Sequence, residues 1–295
     1  MDENLRILIL GSSGLTGRVL VPRLIEQHTI FTTFHEKQGF DNDLHCDLMS
    51  ENSLEKVFEL ARPDIVVNLC TIYNNLEYCE NNKKLVMAVN GTALKPISKL
   101  SNKFNSFLVS ISSDYVFDGN QGNYKEMDPV SPINYYGLSK VEGENNIRSI
   151  AKRYCIVRTS MIYGKNAIRK TLPDNILEGA SSETGFKVIY DQYMKPTFIE
   201  NFINMLKEVV ENQHNGIIHL AGPDKMSRYE FGIMLLEKMG LDSSKLIPTK
   251  RTDFSFGKIM PQDSSLNTAK ASSLLKEKPE CVERSLDKYI SSFRK

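Results

Sequence analysis

The chain has 295 residues, 41% hydrophobic and 25% charged, and its 37 basic and 36 acidic side chains nearly cancel. Such a balance provides no bulk charge to attract nucleic acid or an anionic membrane. The longest early apolar run, Ile7–Leu10, is far shorter than the ~20 residues of a membrane span, and no basic-then-apolar signal pattern precedes it, so we expect a cytoplasmic protein. Five cysteines without a CxxC pair indicate neither a disulfide framework nor a zinc site.

Up to about residue 160, short apolar runs alternate with segments of helical length. The predicted strands are Arg6–Leu10, Ile30–Phe34, Ile65–Cys70, Phe107–Ser112 and Cys155–Arg158. The predicted helices between them are Leu15–Gln27, Glu51–Leu60, Lys83–Lys99 and Tyr135–Lys152. This alternation predicts an α/β fold with a doubly wound parallel sheet of the Rossmann type.

After residue 160 the alternation loosens. We predict short strands at Phe186–Tyr190 and Ile217–Leu220, and helices at Phe198–Asn212, Arg228–Met239 and Val282–Phe293. The pattern predicts a main domain over residues 1–160 and a smaller, interleaved lobe over 161–295, with some segments of the lobe returning to the main domain.

Three glycines, Gly11, Gly14 and Gly17, lie between the first predicted strand and the first predicted helix. In such a turn, glycines allow the backbone to approach a pyrophosphate, and the helix N-terminus offers free N–H groups and a positive dipole. Turns also use glycine for conformational reasons alone, but the position between strand and helix favours dinucleotide binding.

The end of the second predicted strand bears on the choice of cofactor. No acidic residue stands at that terminus to hold a ribose 2′-hydroxyl, whereas Arg18, His35 and Lys37 could pair with a 2′-phosphate. The sequence therefore favours NADP(H) over NAD(H). Farther on, Asp47 and Leu48 are positioned to meet the adenine, or alternatively to start the next helix.

The sequence INYYGLSK, residues 133–140, places a lysine close to two tyrosines. Residues four apart share one face of a helix, so Tyr136 and Lys140 are neighbours, whereas Tyr135 points about 100° away. A nearby ammonium and an oxidised nicotinamide would stabilise the phenolate and lower the tyrosine pKa from about 10. Geometry thus favours Tyr136 as the proton donor.

A reacting carbonyl also needs a hydroxyl to polarise it, and Ser112 and Ser113 stand at the end of a predicted strand, where parallel sheets bind ligands. On chemistry alone either serine could serve, or both could simply bond a loop backbone. The five histidines show no metal-binding spacing, so no metal site is predicted.

Longer motifs, together with the GxxGxxG spacing of the glycine turn, resemble the dTDP-4-dehydrorhamnose reductase branch of the extended short-chain dehydrogenase/reductase superfamily. The main ones are Val109, Ile111–Gly119 (ISSDYVFDG), Gly122–Glu126, Asp128, Pro132 and Tyr135–Glu144 (YYGLSKVEGE). Further matches are Pro63–Asn68, Val89–Asn90, Arg158–Ser160, Asp191–Gln192, Pro196–Thr197 and Asp263–Leu266.

This resemblance implies a reductase that delivers a hydride from NAD(P)H to the C4 carbonyl of a nucleotide-activated 4-keto-6-deoxysugar, with the cofactor on the main domain and the substrate on the smaller lobe. It implies that Ser113, favoured over Ser112, polarises the carbonyl, that Tyr136 supplies the proton, and that Lys140 holds the ribose. The expected cofactor-binding residues are Gly11, Ser13, Gly14, Leu15, Gly17, His35, Asp47, Leu48, Cys70, Thr71, Tyr136 and Lys140. The expected substrate-binding residues are Tyr115, Asn134, Met161 and Thr197.

Two residues depart from the pattern of these reductases. Met161 replaces a common tryptophan, and Met260 replaces an arginine before Pro261. Lys258 or Arg251 could supply the missing positive charge, or both could be ordinary surface charges.

Two other functions share this pattern. One is that of the regulatory β subunit of methionine adenosyltransferase, a nucleotide-binding partner of another enzyme; the other is that of a sugar-nucleotide epimerase. The presence of Ser113, Tyr136 and Lys140 together favours a reductase. A dehydratase is disfavoured, because those enzymes carry an Asp–Glu pair where this chain has Asp114 and Tyr115. We expect a nucleotide-sugar substrate, no nucleic-acid or membrane partner, and a homodimer as one oligomeric state open to the protein.

Overall fold

A computed structural model describes residues 4–165 and 170–293. The first part of the chain forms β1 (Arg6–Leu10), α1 (Leu15–Leu24), β2 (Thr29–Phe34), β3 (Leu44–His45), α2 (Glu51–Ala61), β4 (Ile65–Asn68), α3 (Leu76–Asn81), α4 (Lys83–Met87), α5 (Leu94–Lys103), β5 (Phe107–Ser113), α6 (Tyr135–Ile150) and β6 (Tyr154–Thr159). The predicted helix Lys83–Lys99 is interrupted, since a π-helical turn at Ala88–Thr92 separates α4 from α5.

The second part contains shorter strands between its helices. These elements are β7 (Ile162–Tyr163), α7 (Leu172–Ala180), β8 (Phe186–Ile189), β9 (Tyr193–Met194), β10 (Thr197–Phe198), α8 (Ile199–Glu211), β11 (Gly216–His219), β12 (Met226–Ser227), α9 (Arg228–Lys238), β13 (Leu246–Thr249), α10 (Ala269–Leu274) and α11 (Val282–Ser291). Among the described residues, the second part of the chain forms three two-stranded sheets and no large sheet of its own. The paired strands are β10 with β7, β12 with β9 and β13 with β8.

Within the described residues, the central sheet has seven parallel strands in the order β11-β6-β5-β4-β1-β2-β3. The chain winds outward from β1 in one direction and then from β4 in the other, so the switch point lies between β1 and β4. Ligands of such sheets bind in the crevice outside the carboxyl ends of the strands at this point. The predicted doubly wound α/β fold is confirmed.

The central strands are buried on both faces, which explains their almost continuous apolar sequence. Alternate residues of β1 enter different cores, with Ile7 and Ile9 on one face and Leu8 and Leu10 on the other. Strand β11 comes from the second part of the chain but pairs with β6, with Ile217 beside Ile156. No helix within the described ranges is long and apolar enough to cross a bilayer.

Helix α6 lies unusually close to its neighbours because glycine faces them at two points. A Cβ on Gly137 would lie 2.0 Å from the Tyr115 carbonyl oxygen, and one on Gly143 would lie 2.4 Å from the Asn90 carbonyl oxygen. This close packing positions the buried face of α6, which carries Tyr136 and Lys140, against the end of β5.

Candidate active site

The glycine turn follows β1 at the switch point. Gly11 has a φ of +79°, and a Cβ there would lie 2.7 Å from the Cys70 Sγ, so only glycine fits this position. A Cβ on Gly17 would lie 2.2 Å from the Ser12 carbonyl oxygen, because α1 packs directly on the turn. Cys70, just beyond β4, therefore lies against the turn, and its role in cofactor binding stays a prediction.

The N-terminus of α1 suits a pyrophosphate. Its N-cap residue, Gly14, provides no side-chain cap, and the first turn, which begins at Leu15, contains no acidic residue. The free N–H groups and the positive helix dipole therefore face a space where an anion would be stabilised. Ser13 lies half-buried at the mouth of the turn, where its carbonyl oxygen accepts a hydrogen bond from the exposed Arg18 (Nε–O 3.1 Å).

The residues beyond β2 lie beside this turn. His35 and Lys37 are exposed, and the His35 ring stacks on that of His45 with centroids 6.0 Å apart. Asp47 accepts a hydrogen bond from the Met49 backbone N–H (2.9 Å). Leu48 packs against the core of the sheet. Asp47 thus already serves the local turn before α2, while His35 and Lys37 remain exposed at the strand terminus.

Sequence reasoning missed Asp43, which holds the loop after β2 against the glycine turn. Its Oδ2 accepts hydrogen bonds from the N–H groups of Gly39 (2.6 Å) and Phe40 (2.8 Å). Gly39 approaches Ser13 so closely that a Cβ there would lie 2.8 Å from the Ser13 Cα. In the sequence, Gly39 and Asp43 on either side of Phe40 were the features that could have predicted this loop.

Asn90, in the π-helical turn, fixes the segment after Cys70 and Thr71. Its Oδ1 accepts from the Ile72 N–H (2.8 Å), and its Nδ2 donates to the Ile72 carbonyl (3.1 Å) and to the Ser139 Oγ (3.1 Å). One buried amide thereby joins the β4 loop to α6. Val89–Asn90 is among the motifs that resemble the reductase family, but the sequence alone did not predict that Asn90 hydrogen-bonds Ile72 and Ser139.

The structure brings Ser113, Tyr136, Lys140 and Thr71 together at the carboxyl edge of the sheet. Tyr136 is 8% exposed and Lys140 is 5% exposed, so both are largely shielded from water. Ser113 and Thr71 hydrogen-bond the Tyr136 phenol, and Lys140 Nζ donates to the Ile111 carbonyl (2.9 Å). Tyr135, by contrast, lies under the Lys83 ammonium, 5.2 Å from its ring centroid, on the outer side of the helix.

Burial is the largest cause of the pKa shifts of Tyr136 and Lys140. It raises the pKa of Tyr136 to about 12, and the hydrogen bonds from Ser113 and Thr71 only partly oppose this increase. Burial also lowers the pKa of Lys140 to about 8, against the effect of the nearby Glu144 carboxylate. The direction at Tyr136 is opposite to the one expected from a neighbouring lysine, because desolvation of the buried phenolate is the largest cause of the shift.

The two serines at the end of β5 have different partners. Ser112 Oγ donates to Glu144 Oε1 (2.6 Å) on the inner side of α6, whereas Ser113 Oγ lies beside Tyr136 and donates to Asp114 Oδ1 (3.0 Å). Alternation along the strand sends the two side chains in opposite directions. Ser113 alone of the two faces the phenol.

Asp114 joins three segments of the chain beneath the site. Its Oδ2 accepts hydrogen bonds from the Oγ atoms of Ser160 (2.9 Å) and Ser264 (2.7 Å), in addition to the bond from Ser113 to Oδ1. Burial raises the pKa of this carboxyl, and the three serines oppose the increase. The carboxyl thus fixes Ser113 from below.

Two tyrosine rings, those of Tyr73 and Tyr115, form a wall beside the Tyr136 phenol. The Tyr73 and Tyr136 centroids are 4.5 Å apart, and the Tyr115 and Tyr136 centroids are 6.1 Å apart. Gln192 Nε2 donates to the Tyr115 hydroxyl (3.1 Å). Tyr73 was not predicted from the sequence, since nothing in its local pattern distinguishes it from a core aromatic.

Comparison with known proteins agrees with this architecture. The sequence profile of the RmlD substrate binding domain family matches residues 5–295. The chain belongs to this family.

Its relatives include both an enzyme and a regulatory protein. The dTDP-4-dehydrorhamnose reductase of Aggregatibacter actinomycetemcomitans is 27% identical, over 79% of this chain and 79% of the relative. The methionine adenosyltransferase 2 subunit beta of Danio rerio is also 27% identical, over 90% and 83%. The crystal structure of dTDP-4-dehydrorhamnose reductase from Bacillus anthracis in complex with NADP is 24% identical, with a TM-score of 0.87 over 98% of this chain and 99% of that one.

Four residues were expected to bind the substrate. Tyr115 lies in the tyrosine wall, whereas the side chains of Asn134 and Thr197 already form hydrogen bonds within the protein. Asn134 caps α6 through Oδ1 (2.8 Å to the Gly137 N–H) and donates to the Ile259 carbonyl (3.0 Å). Thr197 Oγ1 donates to the Lys195 carbonyl (3.0 Å) and accepts from the Gly222 N–H (3.3 Å). Met161 is half-buried and packs on the main core.

The other departure from the reductase pattern, Met260, lies in the apolar cluster that contains Tyr136. Arg251 does not supply a free cation there, because its Nη1 donates to the carbonyls of Gly257 (2.6 Å) and Met260 (3.0 Å). Lys258 is exposed and lines an open groove of about 530 Å³ with Tyr135 and Phe256. Arg251 therefore stabilises the loop that carries Met260.

Proposed function

We propose that this family member is an NADPH-dependent reductase of a nucleotide-activated 4-keto-6-deoxysugar, similar in reaction to dTDP-4-dehydrorhamnose reductase. The observation that carries the proposal is the meeting of Ser113, Tyr136 and Lys140 in one buried site at the switch point, beside the glycine turn. A sheet of this kind binds its ligands at that point.

The cofactor supplies the hydride when bound. Gly11, Gly14 and Gly17 fit a pyrophosphate through close backbone approach and the uncapped N-terminus of α1. Cys70 and Thr71 line the adjoining side of the crevice, and Lys140 holds the ribose hydroxyls. These positions support the assignment of residues 1–160 mainly to the cofactor, and the assignment of 161–295 mainly to the substrate stays a prediction.

Tyr136 donates the proton. With its pKa raised to about 12, the phenol is protonated at neutral pH, which is the state needed to donate to an oxygen that acquires negative charge. The Ser113 hydroxyl, which donates to Asp114 Oδ1 in this structure, turns its proton to the same carbonyl oxygen when substrate is bound and polarises it. Lys140, predominantly charged below about pH 8, stabilises the phenolate that remains.

NADPH is favoured over NADH because no acidic side chain stands directly at the end of β2, where the first acid, Glu36, comes two residues beyond Phe34, and because Arg18, His35 and Lys37 are exposed. The NADP complex of the Bacillus anthracis reductase supports the same choice. We also propose a cytoplasmic location, where nucleotide sugars and NADPH are available. The homodimer stays a prediction, to be measured by light scattering.

The test is a panel of dTDP-, UDP- and GDP-linked 4-keto-6-deoxysugars assayed with NADPH and with NADH. We expect NADPH consumption with at least one of them, and none in the variant Tyr136→Phe, which should still bind NADPH. An active Phe variant would refute the role of Tyr136.

The similarity to methionine adenosyltransferase subunit beta supports the second candidate, a regulatory subunit. It predicts NADPH binding without turnover of any sugar in the panel, together with co-purification of a synthetase. A tightly retained, unconsumed cofactor with inversion of a sugar centre would instead indicate an epimerase.

A further inference from the structure

Arg228, the first residue of α9, connects the second part of the chain to the tyrosine wall. Its Nε donates to Gln192 Oε1 (2.9 Å), and Gln192 Nε2 donates to the Tyr115 hydroxyl (3.1 Å). Gln192 is 2% exposed, so its two hydrogen bonds fix the arginine relative to Tyr115. The side chain of Arg228 is half-buried.

The charge of Arg228 has no carboxylate partner within residues 4–165 and 170–293. No ion pair joins it to a described acidic residue, and Gln192 is the described residue that accepts its hydrogen bond. Its charge opposes the rise in the pKa of Asp114, whose oxygens already accept from three serines. Arg158 and Arg251, by comparison, are held by Glu144 and by two backbone carbonyls.

Arg228 lies on the side of Tyr136 where we expect the diphosphate of the proposed substrate. Arg228 lies near the rings that adjoin Tyr136, because Gln192 hydrogen-bonds both the Arg228 Nε (2.9 Å) and the Tyr115 hydroxyl (3.1 Å). Tyr73 and Tyr115 stand 4.5 and 6.1 Å from the Tyr136 ring. In a pyranose held with its C4 oxygen at Tyr136, C1 is the opposite corner of the ring, and the diphosphate attached to C1 points away from Tyr136.

We propose that Arg228 binds the diphosphate of the nucleotide sugar and thereby makes the enzyme selective for diphosphate-activated sugars. A guanidinium offers a planar fork of N–H donors that matches phosphate oxygens in a bidentate arrangement, which a lysine ammonium does not reproduce. Gln192 holds Nε, and the two terminal nitrogens would donate to the diphosphate. This inference rests on the proposed function.

Calorimetric titration of dTDP and of dTMP into the protein saturated with NADPH tests the proposal. We expect the wild-type protein to bind dTDP more tightly than dTMP, and Arg228→Gln to weaken dTDP binding by about 10- to 100-fold while changing dTMP binding little. Arg228→Lys should fall between the two. The matched control is Lys225→Gln, a neighbouring cation that is exposed and paired with Asp263 (3.0 Å).

Steady-state kinetics with an active sugar nucleotide provide a second readout. Arg228→Gln should raise KM more than it lowers kcat, because the diphosphate is bound alike in the ground and transition states. The Kd of NADPH should be unchanged in every variant, which also shows that each is folded.

The outcomes separate the two proposals. Equal weakening of dTDP and dTMP in Arg228→Gln, equal effects of Arg228→Gln and Lys225→Gln, or a wild-type dTDP affinity in Arg228→Gln would overturn the role of Arg228 alone. Failure of the wild-type protein, loaded with NADPH, to bind any nucleoside diphosphate would overturn the substrate class itself.

Discussion

The Arg158 guanidinium holds the Glu144 carboxylate in a buried ion pair one helical turn beyond Lys140. Arg158 Nε and Nη2 donate to the two carboxylate oxygens (2.9 and 2.7 Å), and Ser112 adds a third hydrogen bond (2.6 Å). Residues four apart on a helix can form an ion pair. Lys140 Nζ instead donates to the Ile111 carbonyl, because Glu144 is already committed to Arg158.

Replacing Arg158 by methionine should therefore damage both stability and turnover. The variant leaves a buried carboxylate unpaired, which costs about 3–5 kcal/mol of unfolding free energy, and frees Glu144 to draw Lys140 away from the cofactor. The double variant Glu144→Gln/Arg158→Met should recover part of both losses, since no unpaired charge remains. Chemical denaturation and kcat measure the two effects; a double variant worse than Arg158→Met would contradict this account.

Lys140→Met should abolish turnover but stabilise the fold at neutral pH. The folded-state pKa of Lys140, about 8, is below its ordinary 10.5, so the unfolded chain binds this proton more tightly. The resulting cost is fully present below pH 8 and disappears as pH rises toward 10.5, which gives a gain of at most about 3 kcal/mol at pH 7. Thermal unfolding at pH 7 and pH 10 measures it, with exposed Lys152→Met as control. A gain that is absent at pH 7 would contradict the prediction.

The two serines of β5 should respond differently to alanine. Ser113→Ala removes the hydroxyl beside Tyr136 and should lower kcat by about 10²- to 10³-fold with little change in NADPH binding. Ser112→Ala removes the bond to Glu144 and should cost about 1 kcal/mol of stability while kcat stays near that of the wild type. Paired denaturation and kinetic measurements check this; the reverse assignment of effects would exchange the roles of the serines.

Two glycines of the turn give another matched pair. Gly11→Ala forces a positive φ on alanine and brings its Cβ within 2.7 Å of the Cys70 Sγ, so we expect a destabilised protein. Gly14 has a φ of −75°, and a Cβ there would lie 3.5 Å from the Gly11 carbonyl oxygen, so Gly14→Ala should fold normally. Its NADPH affinity should nevertheless fall, because the new methyl group stands where the pyrophosphate approaches. Unchanged affinity would argue against an anion at this helix end.

The preference for NADPH should depend on the exposed cations near the end of β2. Arg18→Ala should weaken NADPH binding by about 10-fold and leave NADH binding unchanged, since only NADPH carries a 2′-phosphate. Fluorescence titration of both cofactors measures the ratio, and Arg148→Ala on the far end of α6 serves as the charge control. Equal losses for both cofactors would assign Arg18 to a shared part of the molecule.

Local pattern was sufficient for the main elements of the central sheet, whereas the short strand β3 and the helices α3 and α7 were not predicted. The alternation of apolar runs and amphipathic segments predicted the central strands to within about two residues, and the helical spacing of Tyr136 and Lys140 selected the inner tyrosine. These features depend on neighbours in sequence, so they can be read without a fold. The interrupted helix at Ala88–Thr92 was missed, because the π-helical turn is imposed by contacts of Asn90 with the β4 loop and α6.

The sequence by itself determined the doubly wound sheet, the glycine turn and the pairing of a phenol with an ammonium, because backbone geometry and helical periodicity are local properties. Only the tertiary structure decided which serine faces Tyr136, that burial raises rather than lowers its pKa, and that Arg228 lies beside the tyrosine wall. Those outcomes depend on desolvation and on hydrogen bonds between residues far apart in the chain, which no local pattern contains.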